Sequence, residues 1–167
     1  MSQQPVKRNI LRSCLEALFY GGVFLAIGGG LSYWGWNIVQ DAKASSAWPT
    51  AEGTVTSSEV ARVSNADGGV TYSPEITYEY IANNIQHEGH TIKFGENTYD
   101  NKRKADGIVA DYAIGKTVIV YYDPLEPERS VLEPGASGGS FIALAIGVLF
   151  LVIGLVTAVL IVIFRKY

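Results

Sequence analysis

Cysteine is almost missing from this chain, with Cys14 the only one. No intrachain disulfide can therefore staple a domain, and no cluster of thiolates can hold zinc. Beside an apolar run, Cys14 reads as a small apolar residue, or as a palmitoylation site in a eukaryotic host. Histidine is nearly as scarce, with only His87 and His90. Ser, His and Asp are present, but Gly-x-Ser-x-Gly is absent, so no nucleophile elbow offers a triad a starting point. Charge is almost missing from two long stretches. Leu15 to Val39 spans 25 residues and carries the polar interruptions Ser32 and Asn37; Phe141 to Phe164 spans 24 and carries Thr157.

A bilayer core about 30 Å thick needs roughly 20 apolar residues in a helix, so both runs are long enough to cross with some tilt. The sequence thus divides into an N-terminal flank (1–14), a first span (15–39), a polar domain (40–137), a second span (138–164) and a C-terminal flank (165–167). Lys7, Arg8 and Arg12 precede the first span, and Arg165 and Lys166 follow the second. Short basic flanks stay on the cytoplasmic side. Residues 41–137 carry eight basic against fifteen acidic residues, a net charge of −7. The expected arrangement has both termini in the cytoplasm and the acidic domain outside, in a multi-pass protein of the bacterial inner membrane. The acidic balance argues against a nucleic-acid partner. A cleaved signal peptide is the other reading of the first run, with Ala42-Lys43-Ala44 as its cleavage site. At about 25 residues the run exceeds the roughly 7–15 residues of such a segment, which favours a retained anchor.

Within the first run, Tyr33, Trp34 and Trp36 cluster at the outer end, and Phe19 and Tyr20 lie near the inner end, as in an aromatic belt. Gly22, Ala26 and Gly30, spaced by four, share one helical face; so do Ala143, Gly147, Gly154 and Ala158. Small residues let backbones approach in lipid, so these stripes are the expected helix-packing surface, within the hairpin or between subunits. Gly28-Gly29-Gly30 imitates a phosphate loop, but inside an apolar span it is not one.

From Ala51 the texture turns to β. Gly53 to Val63 alternates, Asn65-Ala66-Asp67-Gly68-Gly69 is a turn, and Val70 to Ile81 is a half-buried strand. In that strand Ile76, Tyr78 and Tyr80 face one way and Glu75, Thr77 and Glu79 the other. Pro74 belongs at an edge or bulge. Asn83-Asn84 turns the chain into a third strand, Ile85 to Phe94. Lys102 to Ala113 is the one helix expected outside the membrane, with Ala105, Ile108, Val109 and Tyr112 inward and Gly115 as its stop. The consecutive apolar residues Val118 to Tyr122 read as a central strand buried on both faces. Arg129 to Leu132 is a last short strand. The expected fold is membrane-anchored α+β, with two transmembrane helices flanking a small, mainly antiparallel β-sandwich or open barrel and one short helix.

Several of these residues also form a pattern: Trp48, Gly53-x-Val55, Tyr72-x-Pro74-x-Ile76-x-Tyr78-x-Tyr80, Tyr112-x-x-Gly115, Val118-x-Val120-Tyr121-Tyr122-Asp123-Pro124 and Pro127-x-x-Ser130-Val131-Leu132-x-Pro134-Gly135. Over roughly 48–150 this resembles a bacterial membrane-protein family catalogued as a domain of unknown function. The resemblance implies a small β-rich domain between two spans. It implies structural roles for Tyr122, Asp123, Pro124, Ser130, Leu132, Pro134 and Gly135, and supplies no activity.

His87-Glu88-Gly89-His90 is the nearest approach to a metal motif. His-Glu-x-x-His on a helix is the zinc-protease spacing, whereas these histidines are three apart in a β region and face opposite ways. Lys102-Arg103-Lys104 reads as the solvated face of a short helix. The near-absence of charge in both runs argues against an ion pathway or transporter subunit built from this chain alone. The expected function is a non-enzymatic interaction or accessory module, without catalytic residues, cofactor or metal. Its expected partners are the lipid bilayer and another membrane or envelope protein, or a second copy of itself. The rival is an envelope metal-binding protein or enzyme using His87, Glu88 and His90.

Overall fold

A computed structural model describes residues 6–64, 68–95 and 98–164, with the side chains of 6–18, 20, 161, 162 and 164 outside the description. The chain forms two compact units. One comprises 1–37 with 141–167, and the other comprises 38–140.

Two helices make the first unit. Helix α1 runs Val6–Ser45, with its last turns belonging to the second unit, and α3 runs Ile142–Phe164. Among the described residues one helical stretch, Gly138–Leu160, is long and apolar enough to cross a membrane, with mean hydropathy 2.9. The expectation of two spans is thus met for the second run only. The first run lies within α1, but three successive glycines, Tyr33, Trp34, Trp36 and Asn37 dilute its hydropathy. Its N-terminal residues, including the acid Glu16, lie outside the described side chains.

The two helices pack antiparallel through glycines. Gly21, Gly28 and Gly35 are buried on α1, and Gly147 and Gly154 on α3. A Cβ at Gly28 would sit 2.7 Å from the Leu151 nitrogen and 3.0 Å from the Gly147 carbonyl oxygen. At Gly35 it would collide with Leu144, and at Gly147 with the backbone of Ser32. Phe24 and Phe150 meet with ring centroids 5.5 Å apart. Gly22, Ala26 and Gly30 are instead exposed, and nothing lies within 4 Å of a Cβ at Gly22 or Gly30. Within the hairpin, the α1 half of the expected interface is therefore not used. On α3, Gly147 and Gly154 are in the seam, with Ala143 and Ala158 half-buried beside it. On α1 the seam lies on nearly the opposite side of the helix from the expected stripe. Its seven-residue repeat matches the Gly147–Gly154 spacing, and a seven-residue period keeps two helices in register as they wind past each other.

The second unit is built on one five-stranded antiparallel sheet, in the order β3-β2-β1-β4-β5. Its strands are β1 Thr50–Ser64, β2 Val70–Ala82, β3 Ile85–Gly89, β4 Thr117–Tyr122 and β5 Ser130–Val131. No second sheet packs on it among the described residues, so the sandwich alternative is corrected to an open sheet. Two strands of 15 and 13 residues absorb most of the β-forming sequence. Beyond its edge strands the chain meets itself, as Leu132 and Glu133 donate their N–H groups to the carbonyls of Thr91 and Ile92.

Local chemistry accounts for these elements. The two-residue turn Asn83-Asn84 has φ of 51° and 63°, the left-handed pair that suits the twist of a tight hairpin and that asparagine tolerates. Register slips at Val55/Ser57, where Thr56 is the extra residue of a bulge. Helix α2, Lys102–Asp111, begins where the Asn101 side chain accepts from the Arg103 N–H, and Gly115 follows it with φ +83°.

The core lies on one face of the sheet. Val55, Ile76, Tyr78, Tyr80, Ala82, Val118, Val120 and Leu132 form it, with Val109 and Tyr112 packed against them. The alternation expected for Ile76, Tyr78 and Tyr80 holds. The expectation that β4 is buried on both faces does not: Val118 and Val120 are buried, but Ile119 is 50% exposed. The apolar run of β4 includes a face that the sheet leaves partly open.

Candidate functional site

The central polar group of the domain is Tyr78, whose side chain is fully buried. Its O–H donates to the Thr91 carbonyl at 3.0 Å, and its oxygen lies 3.1 Å from Ser130 Oγ. Gly89 opposes Tyr78 across the β2–β3 ladder; a Cβ there would strike the tyrosine ring and the Ser130 hydroxyl. Tyr80 donates to the Pro127 carbonyl and stacks with Tyr122. Tyr112 donates to Glu133, which also pairs with Lys93 at 2.6 Å. Each phenol thus reaches a partner while its ring fills the core.

Burial and the neighbouring Glu133 carboxylate push the Tyr112 phenol up to about 12, and burial raises Tyr78 further. A phenol raised in the folded state stays protonated there after the unfolded chain would have ionised near pH 10. Its contribution to stability is complete below pH 10 and is lost as pH climbs towards the folded value. The expected result is that Tyr78 and Tyr112 stay silent in an ultraviolet titration between pH 10 and 11.5, then ionise together with unfolding. Ionisation of all ten tyrosines near pH 10 with the fold intact would contradict this burial.

The motif around Asp123 fastens the last turns of α1 to the sheet. Asp123 accepts from the Leu125 N–H at 2.9 Å and its own N–H donates to the Arg129 carbonyl, so Pro124 opens a tight loop. That loop sets Arg129 against Asp41 at 2.5 Å, and the carboxylate holds the guanidinium above its ordinary value. Gly135, with φ +98°, donates to the buried Ser45 hydroxyl, which donates to the Ala42 carbonyl. Val39, Ala42 and Val131 are fully covered, and Leu132 lies in the core. Asp41, Ser45 and Arg129 were not legible from sequence spacing, because the contacts join positions some 90 residues apart.

His87 and His90 are not brought together. His87 lies opposite Tyr80 in the ladder and stacks on its ring at 5.7 Å. His90 lies beyond β3, 3.1 Å from Glu88 and 3.2 Å from the Thr77 hydroxyl. Among the described residues no three His, Cys, Asp or Glu side chains converge. Lys102 pairs with Asp106, and Lys104 lies over the Tyr99 ring.

The face of the sheet opposite the core is acidic. Register places Glu59 directly opposite Glu75 and Glu79 opposite Glu88, and Glu52 shares that face opposite Ile119. Like charges paired across strands oppose folding. Gln86 relieves one pair by donating to Glu79, and His90 pairs with Glu88.

A single open antiparallel sheet with one short helix, in a chain that also carries one helix long and apolar enough to cross a membrane, defines an α+β domain protein. Residues 51–137 match the family described as Domain of unknown function (DUF3592), and the chain belongs to that family. No curated protein matches it.

Proposed function

We propose that this protein is a non-enzymatic, two-span module of the bacterial inner membrane, with its domain outside the cytoplasm, that docks on a second membrane or envelope protein. The observation that carries this reading is the acidic sheet face. Two glutamate pairs, Glu59–Glu75 and Glu79–Glu88, stand opposed across strands where Thr or Lys would serve folding better. A local rule broken without structural gain marks a surface kept for another purpose. The tyrosines of the core support the same view, as Tyr78, Tyr80 and Tyr112 are engaged in packing and internal hydrogen bonds. The −7 charge of the domain and the basic flanks support the topology.

The test uses intact cells. A cysteine at Leu125, which is 90% exposed, should react with a membrane-impermeant maleimide, and one at Ser2 should not. A photo-crosslinking amino acid at Thr54 or Glu79 should capture one protein partner, while the same group at Gly107 in α2 captures none. Reversed labelling would end the topology. Lipid adducts alone at every position would end the docking reading.

A further inference from the structure

The sheet ends at β3, and the outer edge of that strand is open. In an antiparallel strand alternate residues aim their backbone groups at alternate neighbours. Val55, opposite Tyr78, bonds away from β2 to Lys116 and Gly115, so Tyr78 bonds towards β3 and its partner Gly89 bonds back. Register is unbroken from Gly89 to Ile85, which puts His87 and Ile85 in the same phase as Gly89. The N–H and carbonyl groups of Gln86 and Glu88 therefore face away from β2, with no hydrogen-bond partner among the described residues. Both residues are exposed. Strand β3 carries neither a proline nor a bulge, two of the usual ways of blunting an edge.

Across from this edge runs the segment 125–130 that leads into β5. The two stretches of chain meet at one end, where the Leu132 N–H reaches the Thr91 carbonyl. Between them lie a cleft of 530 Å³, lined by Ile85, His87, Leu125 and Glu126 among others, and one of 230 Å³, lined by Glu88, His90, Glu128 and Arg129 among others. Ile85 is 60% exposed and Leu125 90%. An open edge with room beside it is completed by an added strand, whose main chain supplies affinity and whose alternate side chains supply specificity. We infer that the outer edge of β3 accepts an extended, lysine- or arginine-bearing segment of a partner protein, which pairs with Gln86 and Glu88. The inference rests on the docking reading and names the edge at which docking occurs. Charge selects the occupant. Glu88 and Glu79 stand on one side of the edge, and Glu126 and Glu128 line the clefts on the other. Arg129 is already committed to Asp41, Asp123 and Glu126, while Glu128 has no ion-pair partner among the described residues. A second copy of β3 would bring its own Glu88 against these acids. At about 3.3 Å per residue, the length of β3 accommodates a segment of roughly five residues. Its cations fall over the acidic face beside Gln86 and Glu88, and the side chains between them meet Ile85 and Leu125, which suits valine or isoleucine.

The experiment uses the full chain in nanodiscs of uncharged lipid and a ten-residue peptide of alternating lysine and valine. The peptide should bind, slow hydrogen exchange of the Gln86 and Glu88 amides at least tenfold, and leave the Val109 amide of α2 unchanged. Binding should weaken at least tenfold when the peptide is N-methylated on alternate backbone nitrogens, and a glutamate–valine peptide should not bind. It should weaken similarly in Gln86→Pro, which removes one outward N–H and no rung of the β2–β3 ladder, and whose melting temperature checks the fold. Equal binding of the N-methylated peptide would reduce the effect to charge adsorption and overturn the proposal, as would unmoved Gln86 and Glu88 amides. Amides at these two positions that are already protected at high protein concentration and released on dilution would assign the edge to a second copy and overturn the partner class. If crosslinking from the sheet face still captures one partner while the peptide leaves both amides unmoved, the edge proposal fails and the docking reading stands. Loss of both removes both.

Discussion

Val120→Asp should leave the 38–140 unit unfolded. Val120 is fully buried, lies in the strand joining β1 to β5, and has its Cγ2 against the position where a Cβ on Gly53 would fall. A carboxylate there has no cation within the apolar cluster to meet it. It must lose its charge or drag water inward, at a cost of about 4 kcal/mol or more. A domain of this size holds roughly 5–15 kcal/mol in total, so the variant should be digested under limited proteolysis that spares the parent. Ile119→Asp, on the half-exposed side of the same strand, should change stability by less than about 1 kcal/mol. Equal sensitivity at both positions would contradict the one-sided core.

Gly147→Leu should separate the helices of the first unit. The new Cβ would fall against the backbone of Ser32, which cannot rotate away as a side chain can. The cost should exceed the ~1–3 kcal/mol typical of overpacking between side chains. With Cys14 replaced by alanine, cysteines at Phe24 and Phe150 should form a disulfide in native membranes, and Gly147→Leu should reduce its yield more than tenfold. Gly22→Leu and Gly30→Leu, which meet open space, should leave the yield unchanged. The opposite pattern would restore the stripe spaced by four.

That contrast shows where the sequence was legible and where it was not. Period-two alternation picked out Ile76, Tyr78 and Tyr80 because a strand with one covered face leaves that imprint directly. Asn83-Asn84 and Gly115 were readable because their backbone conformations restrict residue choice. The α1 seam was not, because small residues recur in that helix at a spacing of four (Gly22, Ala26, Gly30) and of seven (Gly21, Gly28, Gly35), and each set lines a face. Only the partner helix, with Gly147 and Gly154 seven apart, decides between them. The apolar run of β4 reads the same whether one face is covered or two, since Ile119 and Tyr121 satisfy β propensity on an open face as well. The acidic face was half visible, as Glu75 and Glu79 alternate with Thr77. Its cross-strand pairing depends on register, which the bulge at Thr56 shifts. The contacts of Asp41 with Arg129 and Ser45 with Gly135 are set by tertiary structure alone.

The account turns on the acidic face serving a partner at the expense of the fold, and Glu75→Lys tests both halves at once. The substitution turns the Glu59–Glu75 repulsion into a cross-strand attraction. It should raise the stability of the purified protein by about 0.5–1 kcal/mol, read as a higher melting temperature. In native membranes it should at the same time abolish the protein adduct formed from the crosslinker at Thr54. A variant no more stable than the parent, with an undiminished adduct, would contradict the account.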